Sequence, residues 1–167
     1  MRIVDDWPPL IDEIDAAFNV RRPNPNVIFA WADGDENLIY APGGQTVSFA
    51  LRAHELVHCD RQRRHPGGTI GWWREYIKDP EFRLYEEVRA HHAEYTYMVN
   101  ENPNRKARRR ALAIVATRLS SPLYGRLMSK ALAVKVLGIG PEQAKEIAHH
   151  MEGMLPNTPD LPLELGK

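Results

Sequence analysis

The chain has 167 residues, 43% hydrophobic and 26% charged, the balance of one soluble globular domain with a substantial core. Lys+Arg and Asp+Glu each number 22, so overall charge singles out neither nucleic acid nor an anionic membrane as a partner. The single cysteine, Cys59, excludes an intramolecular disulfide and a cysteine-built zinc finger, and points to a reducing, cytoplasmic setting, with export without disulfides left open.

The N-terminal MRIVDDWPPLIDEIDAAF carries charges where a signal peptide needs an apolar core. No run approaches the ~20 apolar residues of a membrane-spanning helix, so no membrane partner is expected. Leu10, Ile11, Ile14 and Phe18 recur at helical spacing and predict a short helix over 8–18. A loop rich in Arg, Pro and Asn follows to Asn26. The stretch VIFAWADGDENLIYAPGGQTVSFA then predicts a small antiparallel sheet: VIFAW and LIYA as strands, and QTVSF as a third strand or a lead-in to the next helix. Asp33 to Asn37 reads as a turn; a calcium loop would need glycine where Leu38 stands.

A helix is predicted from Phe49 to about Arg64, with Ser48 as N-cap and Pro66-Gly67-Gly68 as its end. Trp72, Trp73, Tyr76 and Ile77 predict a short helical segment that covers the core or walls a cleft. Asp79 and Pro80 suit the N-cap and first position of a long helix to about Asn100. Further helices are expected over 105–119, 123–137 and 141–154. Residues 1–155 form one domain by this reading, and 156–167 an extended Pro-rich tail.

The helix over 49–64 contains AHELVHCDRQ. His54 and His58 stand four residues apart, so one helical face presents both imidazoles to a single ion. Glu55 is rotated by about 100° from His54, close enough to take a proton from water at the ion without being a ligand. A catalytic zinc usually has three protein ligands and one water. A third histidine six residues after His58 is missing, because Arg64 holds that position and His65 comes one residue late. A cysteine ligand before the helix is also missing, since Cys59 follows His58. The helix LYEEVRAHHAEY supplies carboxylates instead: Glu86 and Glu87, with His91 and Glu94 on the Glu87 face at i+4 and i+7.

These two segments resemble zinc metallopeptidases of the gluzincin type over roughly Val27 to Tyr97. The resemblance implies a zincin-like α+β fold, helix-rich, in which a small sheet precedes the HExxH helix and a long second helix completes the site. It implies one zinc ion held by His54, His58 and Glu87, with Glu86 the alternative to Glu87. It implies hydrolysis of a peptide bond in a peptide or protein substrate, with Glu55 as general base. His91 stands where some members keep an aspartate that orients a ligand histidine. His91, Tyr95 and Tyr124 are the candidates for stabilising the transition state or supporting the ligands. In the family an edge strand just before the active helix, here Gln45 to Phe49, pairs with the extended substrate. More loosely, AHELVHCDRQ, YIKDPEFRLYEEVRAHHAEY and SSPLYGRLMS are similar to metallopeptidases of bacteriophages and prophages.

Simpler readings stand beside these. The two histidines could only pack or face water, and Glu87 could be a solvated helix carboxylate. Zinc could clamp a non-catalytic binding module. The basic run Arg105 to Arg110 could contact nucleic acid, although a solvated helix face paired with nearby acids is favoured, so nucleic acid is not the expected partner.

Overall fold

The turn after Asp33 organises the sheet. Gly34 adopts φ +53°, the left-handed backbone that a tight two-residue hairpin turn needs. It joins β2 (Phe29–Asp33) to β3 (Glu36–Tyr40) as an antiparallel pair, with Phe29 opposite Tyr40 and Asp33 opposite Glu36. The structure is a computed structural model and describes residues 1–21, 27–122, 125 and 127–139. Its third strand is β1 (Arg2–Val4), which runs parallel to β3. The sheet is therefore small and mixed, in the order β1-β3-β2, and not antiparallel throughout as the sequence suggested.

The QTVSF segment does not supply the third strand. Residues 45–48 have no strand assignment, and Phe49 already belongs to the next helix. The Gln45 side chain donates to Val27 O at 2.6 Å and to Pro42 O at 3.3 Å. A β-branched and aromatic composition does not make a strand where no neighbour offers its backbone.

β2 lies at the sheet edge, and side chains cover its outward groups. Gln62, fully buried, accepts from Ala32 N at 2.8 Å and donates to Ala30 O at 3.0 Å. Trp73 Nε1 also donates to Ala30 O, and Thr69 Oγ1 donates to Ala32 O. The primary amide of Gln62 thus imitates a neighbouring strand. These contacts close β2 to an added strand over Ala30–Ala32.

The helices are α1 (Ile11–Phe18), α2 (Phe49–Arg64), α3 (Gly68–Lys78), α4 (Pro80–Glu101), α5 (Arg105–Leu119) and α6 (Lys130–Ile139). Ser48 Oγ caps α2 by accepting from Leu51 N, and Asp79 Oδ1 caps α4 by accepting from Glu81 N and Phe82 N. α6 begins at Lys130, later than the expected start at Leu123, and the described residues just before it, Gly125 and 127–129, are not helical. The expected helix over 141–154 and the tail over 156–167 lie outside the described residues.

Two apolar cores form around different elements. α1, β2 and α3 share an aromatic core with Phe29, Trp72, Trp73 and Tyr76. α4, α5 and α6 share an aliphatic one with Val88, Val115, Leu119 and Val136. Cys59 is fully buried against Ala30 and Ala32, a small residue where α2 crosses β2 closely. Arg105, Lys106, Arg108, Arg109 and Arg110 are exposed at the start of α5, and none has an ion pair among the described residues, so the expected pairing with nearby acids is not seen. No helix among the described residues is long and apolar enough to cross a membrane.

Candidate metal centre

The contact between α2 and α4 is built differently from both cores. α2 buries His54, Glu55, His58, Cys59 and Gln62, and the facing stripe of α4 buries Glu87, His91 and Glu94. An ionisable group in a folded interior costs several kcal/mol unless it is paired or bound to an ion. Six such groups in one place need a compensating partner, and the distances between them show what kind.

His54 Nε2 lies 3.1 Å from His58 Nε2. Glu87 reaches both, with Oε1 at 3.3 Å from His58 Nε2 and Oε2 at 3.7 Å from His54 Nε2. His91 Nε2 lies 3.4 Å from Glu87 Oε2. Donors about 2.0–2.1 Å from a tetrahedral zinc stand roughly 3.3–3.4 Å from one another, and the separations here, 3.1–3.7 Å, bracket that spacing. The buried Glu87 Oε2 has no hydrogen-bond partner although it faces two imidazole nitrogens. His54, Glu87 and His91 could therefore hold a metal ion, and His58 reaches the same two neighbours from the other side. Nitrogen and carboxylate donors in this number suit zinc.

Comparison with protein-family models, curated proteins and solved structures finds no match to this chain.

Burial would raise the Glu87 pKa, but the bond from His58 and the nearby His54 and His91 hold the carboxyl well below its ordinary range. Burial also opposes charge on His58, yet Glu87 raises it above the ordinary imidazole value. His54 goes the other way, lowered by burial and by His91. Glu87 thus stays anionic beside His58, whose proton a bound metal ion would displace.

Tyr76 on α3 donates to Glu87 Oε1 at 2.5 Å and fixes the rotamer of that carboxylate. Glu94 is fully buried behind the histidines, 3.0 Å from His91 Nδ1. Helical phase put Glu94 on the face of Glu87 and His91, whereas the Tyr76 contact was not visible in the sequence, because it depends on how α3 and α4 pack. Glu86, the alternative ligand, is occupied elsewhere: Arg61 Nε and Nη2 approach its carboxylate at 2.9 and 2.8 Å. Tyr95 packs against the aliphatic core of α4, α5 and α6 and is not placed at the site, which corrects the expectation for that residue. Tyr124 lies outside the described residues, as do His149 and His150. His92 is half-buried and His65 pairs with Glu75, so neither joins the cluster.

Glu55 Oε1 sits 3.9 Å from His54 Nε2. Two clefts meet at His54 and Glu55. One is apolar, about 70 Å³, walled by Ile14, Phe18, Trp72, Trp73 and Tyr76. The other is more polar, about 280 Å³, with Gln45, Thr46, Arg118 and Ser121 on its wall. The α3 aromatics therefore both fill the core and wall a cleft.

Burial pushes the Glu55 carboxyl up to about 8, with Glu87 and Glu94 adding to the shift and His58 and the Ala30 backbone opposing it. In metal-free protein the folded state then keeps a proton that the unfolded chain releases near pH 4.5. The contribution of Glu55 to stability should fall as pH rises from about 4.5 to about 8, by a few kcal/mol in all. Melting of chelator-treated wild type and Glu55→Gln at pH 5, 6.5 and 8.5 checks this. The variant should gain on wild type as pH rises, and parallel curves would show that Glu55 is not held protonated.

Proposed function

We propose that this protein is a zinc-dependent peptide-bond hydrolase whose sheet, α2 and α4 make a zincin-like core. The observation that carries the proposal is the convergence of His54, His58 and Glu87 within 3.7 Å of one another beside the buried carboxylate of Glu55. His54, His58 and Glu87 would hold the ion. Zinc bound there supplies Lewis acidity, polarising the substrate carbonyl and making a water molecule more acidic. Glu55 takes the proton from the attacking water and passes it to the leaving amine. Tyr76 keeps Glu87 oriented, and the two clefts beside Glu55 receive the substrate on either side of the reacting bond. Pairing of the substrate with Gln45 to Phe49 is not supported, since 45–48 is no strand, and β2 is closed over Ala30–Ala32. Substrate contacts would come from side chains in the clefts.

Elemental analysis of the purified protein, with cleavage of unstructured peptides followed by mass spectrometry, tests the proposal. One zinc per chain and cleavage abolished by a zinc chelator are expected. Protein without zinc, or cleavage indifferent to the chelator, would remove it.

The position of His91 favours a second reading, in which three histidines and Glu87 close the coordination sphere and the metal only clamps α2 to α4. Cobalt(II) in place of zinc separates the two. Acetohydroxamate should change the visible spectrum if a position is open, and should leave it unchanged if four protein ligands surround the ion. His91→Ala should keep the metal and an intact spectrum in the first case, and lose affinity in the second.

A further inference from the structure

We infer that Glu94, held in place by Arg118, is the positioning residue that orients the ligand His54, and His91 beside it, so that their Nε2 atoms face Glu87. The inference rests on the metal reading above. Glu94 is fully buried on α4, with Oε2 3.0 Å from His91 Nδ1 and 3.8 Å from His54 Nδ1. Its Oε1 accepts from Arg118 Nη1 on α5. One carboxylate thereby touches side chains from three helices.

An ionised carboxylate only accepts hydrogen bonds. His91 must therefore carry its proton on Nδ1 to bond with it. His54 Nδ1 has no hydrogen-bond partner, and the carboxylate that faces it is Glu94. At 3.8 Å this is an electrostatic contact and not a hydrogen bond, and a proton on Nδ1 is the arrangement that suits it. With both protons on Nδ1, both Nε2 lone pairs point the other way. That is the direction of Glu87 Oε2, 3.7 Å from His54 Nε2 and 3.4 Å from His91 Nε2. The donor set is thus assembled from behind by a single group.

Arg118 holds that group in place from α5, donating to Oε1 while Oε2 faces the histidines. The Arg118 side chain is 43% exposed and lines the polar cleft beside His54 and Glu55. It couples α5, which carries no donor, to the metal site. Arg118→Lys retains a cation beside the buried Glu94.

The test measures zinc affinity by competition with a chromophoric chelator, and histidine tautomers by long-range proton–nitrogen NMR. Wild type, Glu94→Gln, Arg118→Ala and Arg118→Lys are compared, with circular dichroism to check folding. Loss of an outer partner of a ligand histidine lowers metal affinity by roughly 10–100-fold, and a loss in that range is expected for Glu94→Gln and Arg118→Ala. Arg118→Lys should recover most of it. In wild type, His54 and His91 should both be Nδ1–H tautomers, and Glu94→Gln should mix them. If Glu94→Gln fails to fold, Arg118→Ala carries the test. Affinity unchanged in the folded variants, or Nε2–H tautomers in wild type, would overturn the inference. Wild type that binds no zinc would overturn the metal reading instead, and the tautomer spectra would still report on Glu94.

Discussion

Glu55→Gln is expected to lower peptide hydrolysis by roughly 10²–10⁴-fold, the usual share of a general base, while one zinc per chain stays bound. The amide has the shape of the carboxylate and can still accept from the backbone at Ala30. It leaves His54, His58 and Glu87 with their mutual contacts of 3.1 to 3.7 Å. What it removes is the ability to accept a proton from water and return it to the amine. Because burial already holds the Glu55 carboxyl near pH 8, a neutral side chain fits the site at least as well, and the variant should fold. The measurement is kcat on a cleaved peptide beside zinc content on the same preparation. Equal rates in wild type and variant would end the role assigned to Glu55. Loss of zinc together with activity would show that the substitution disturbed the ligands and not the proton transfer.

The parts of the site that were legible in the sequence are those set by local spacing. His54 and His58 share a face because they are one helical turn apart, and Ser48 and Asp79 mark the helix starts as caps. The phase of α4 placed Glu87 with His91 and Glu94, but it could not say which of them meets α2. That depends on the docking of two helices. The same docking sends Glu86 to Arg61, a partner 25 residues earlier in the chain. It also brings Arg118 across from α5 to Glu94. Tyr76 is both a core aromatic and a cleft wall, the two places the sequence suggested, but its hydroxyl has a further task at Glu87. The sheet was misjudged at its ends. Three residues, Arg2–Val4, are too few to show alternation, and only the fold brings them beside β3. QTVSF has strand composition and no strand neighbour. Gln62 gave no signal at all, since a glutamine imitating a strand edge looks like any other polar helix residue.

Glu87→Ala is expected to cost zinc affinity well beyond the roughly 10–100-fold lost with an outer partner, whereas Glu86→Ala should bind zinc as wild type does. The two residues are neighbours in sequence, both at the α2–α4 contact, and both nearly inaccessible. Their partners differ. Glu87 faces three imidazoles, His58 with Oε1 and His54 and His91 with Oε2, which has no hydrogen bond, so its charge is what the site offers a cation. Glu86 is already neutralised by Arg61, which is about one-third exposed and would return to solvent if Glu86 were truncated. Glu86→Ala therefore removes a buried pair and should destabilise the fold by a few kcal/mol, with or without metal. Glu87→Ala leaves buried histidines without their anion. It should abolish the zinc-dependent part of stability, which in wild type reaches about 4 kcal/mol once free zinc is 1,000 times its Kd. Melting curves with zinc and with chelator separate these outcomes. A zinc-induced rise in wild type and Glu86→Ala but not in Glu87→Ala assigns the ligand. A rise that survives in Glu87→Ala would move the third ligand to His91, which already stands 4.4 Å from His54, ring centre to ring centre. Glu87 would then be left as the counter-charge of the three histidines.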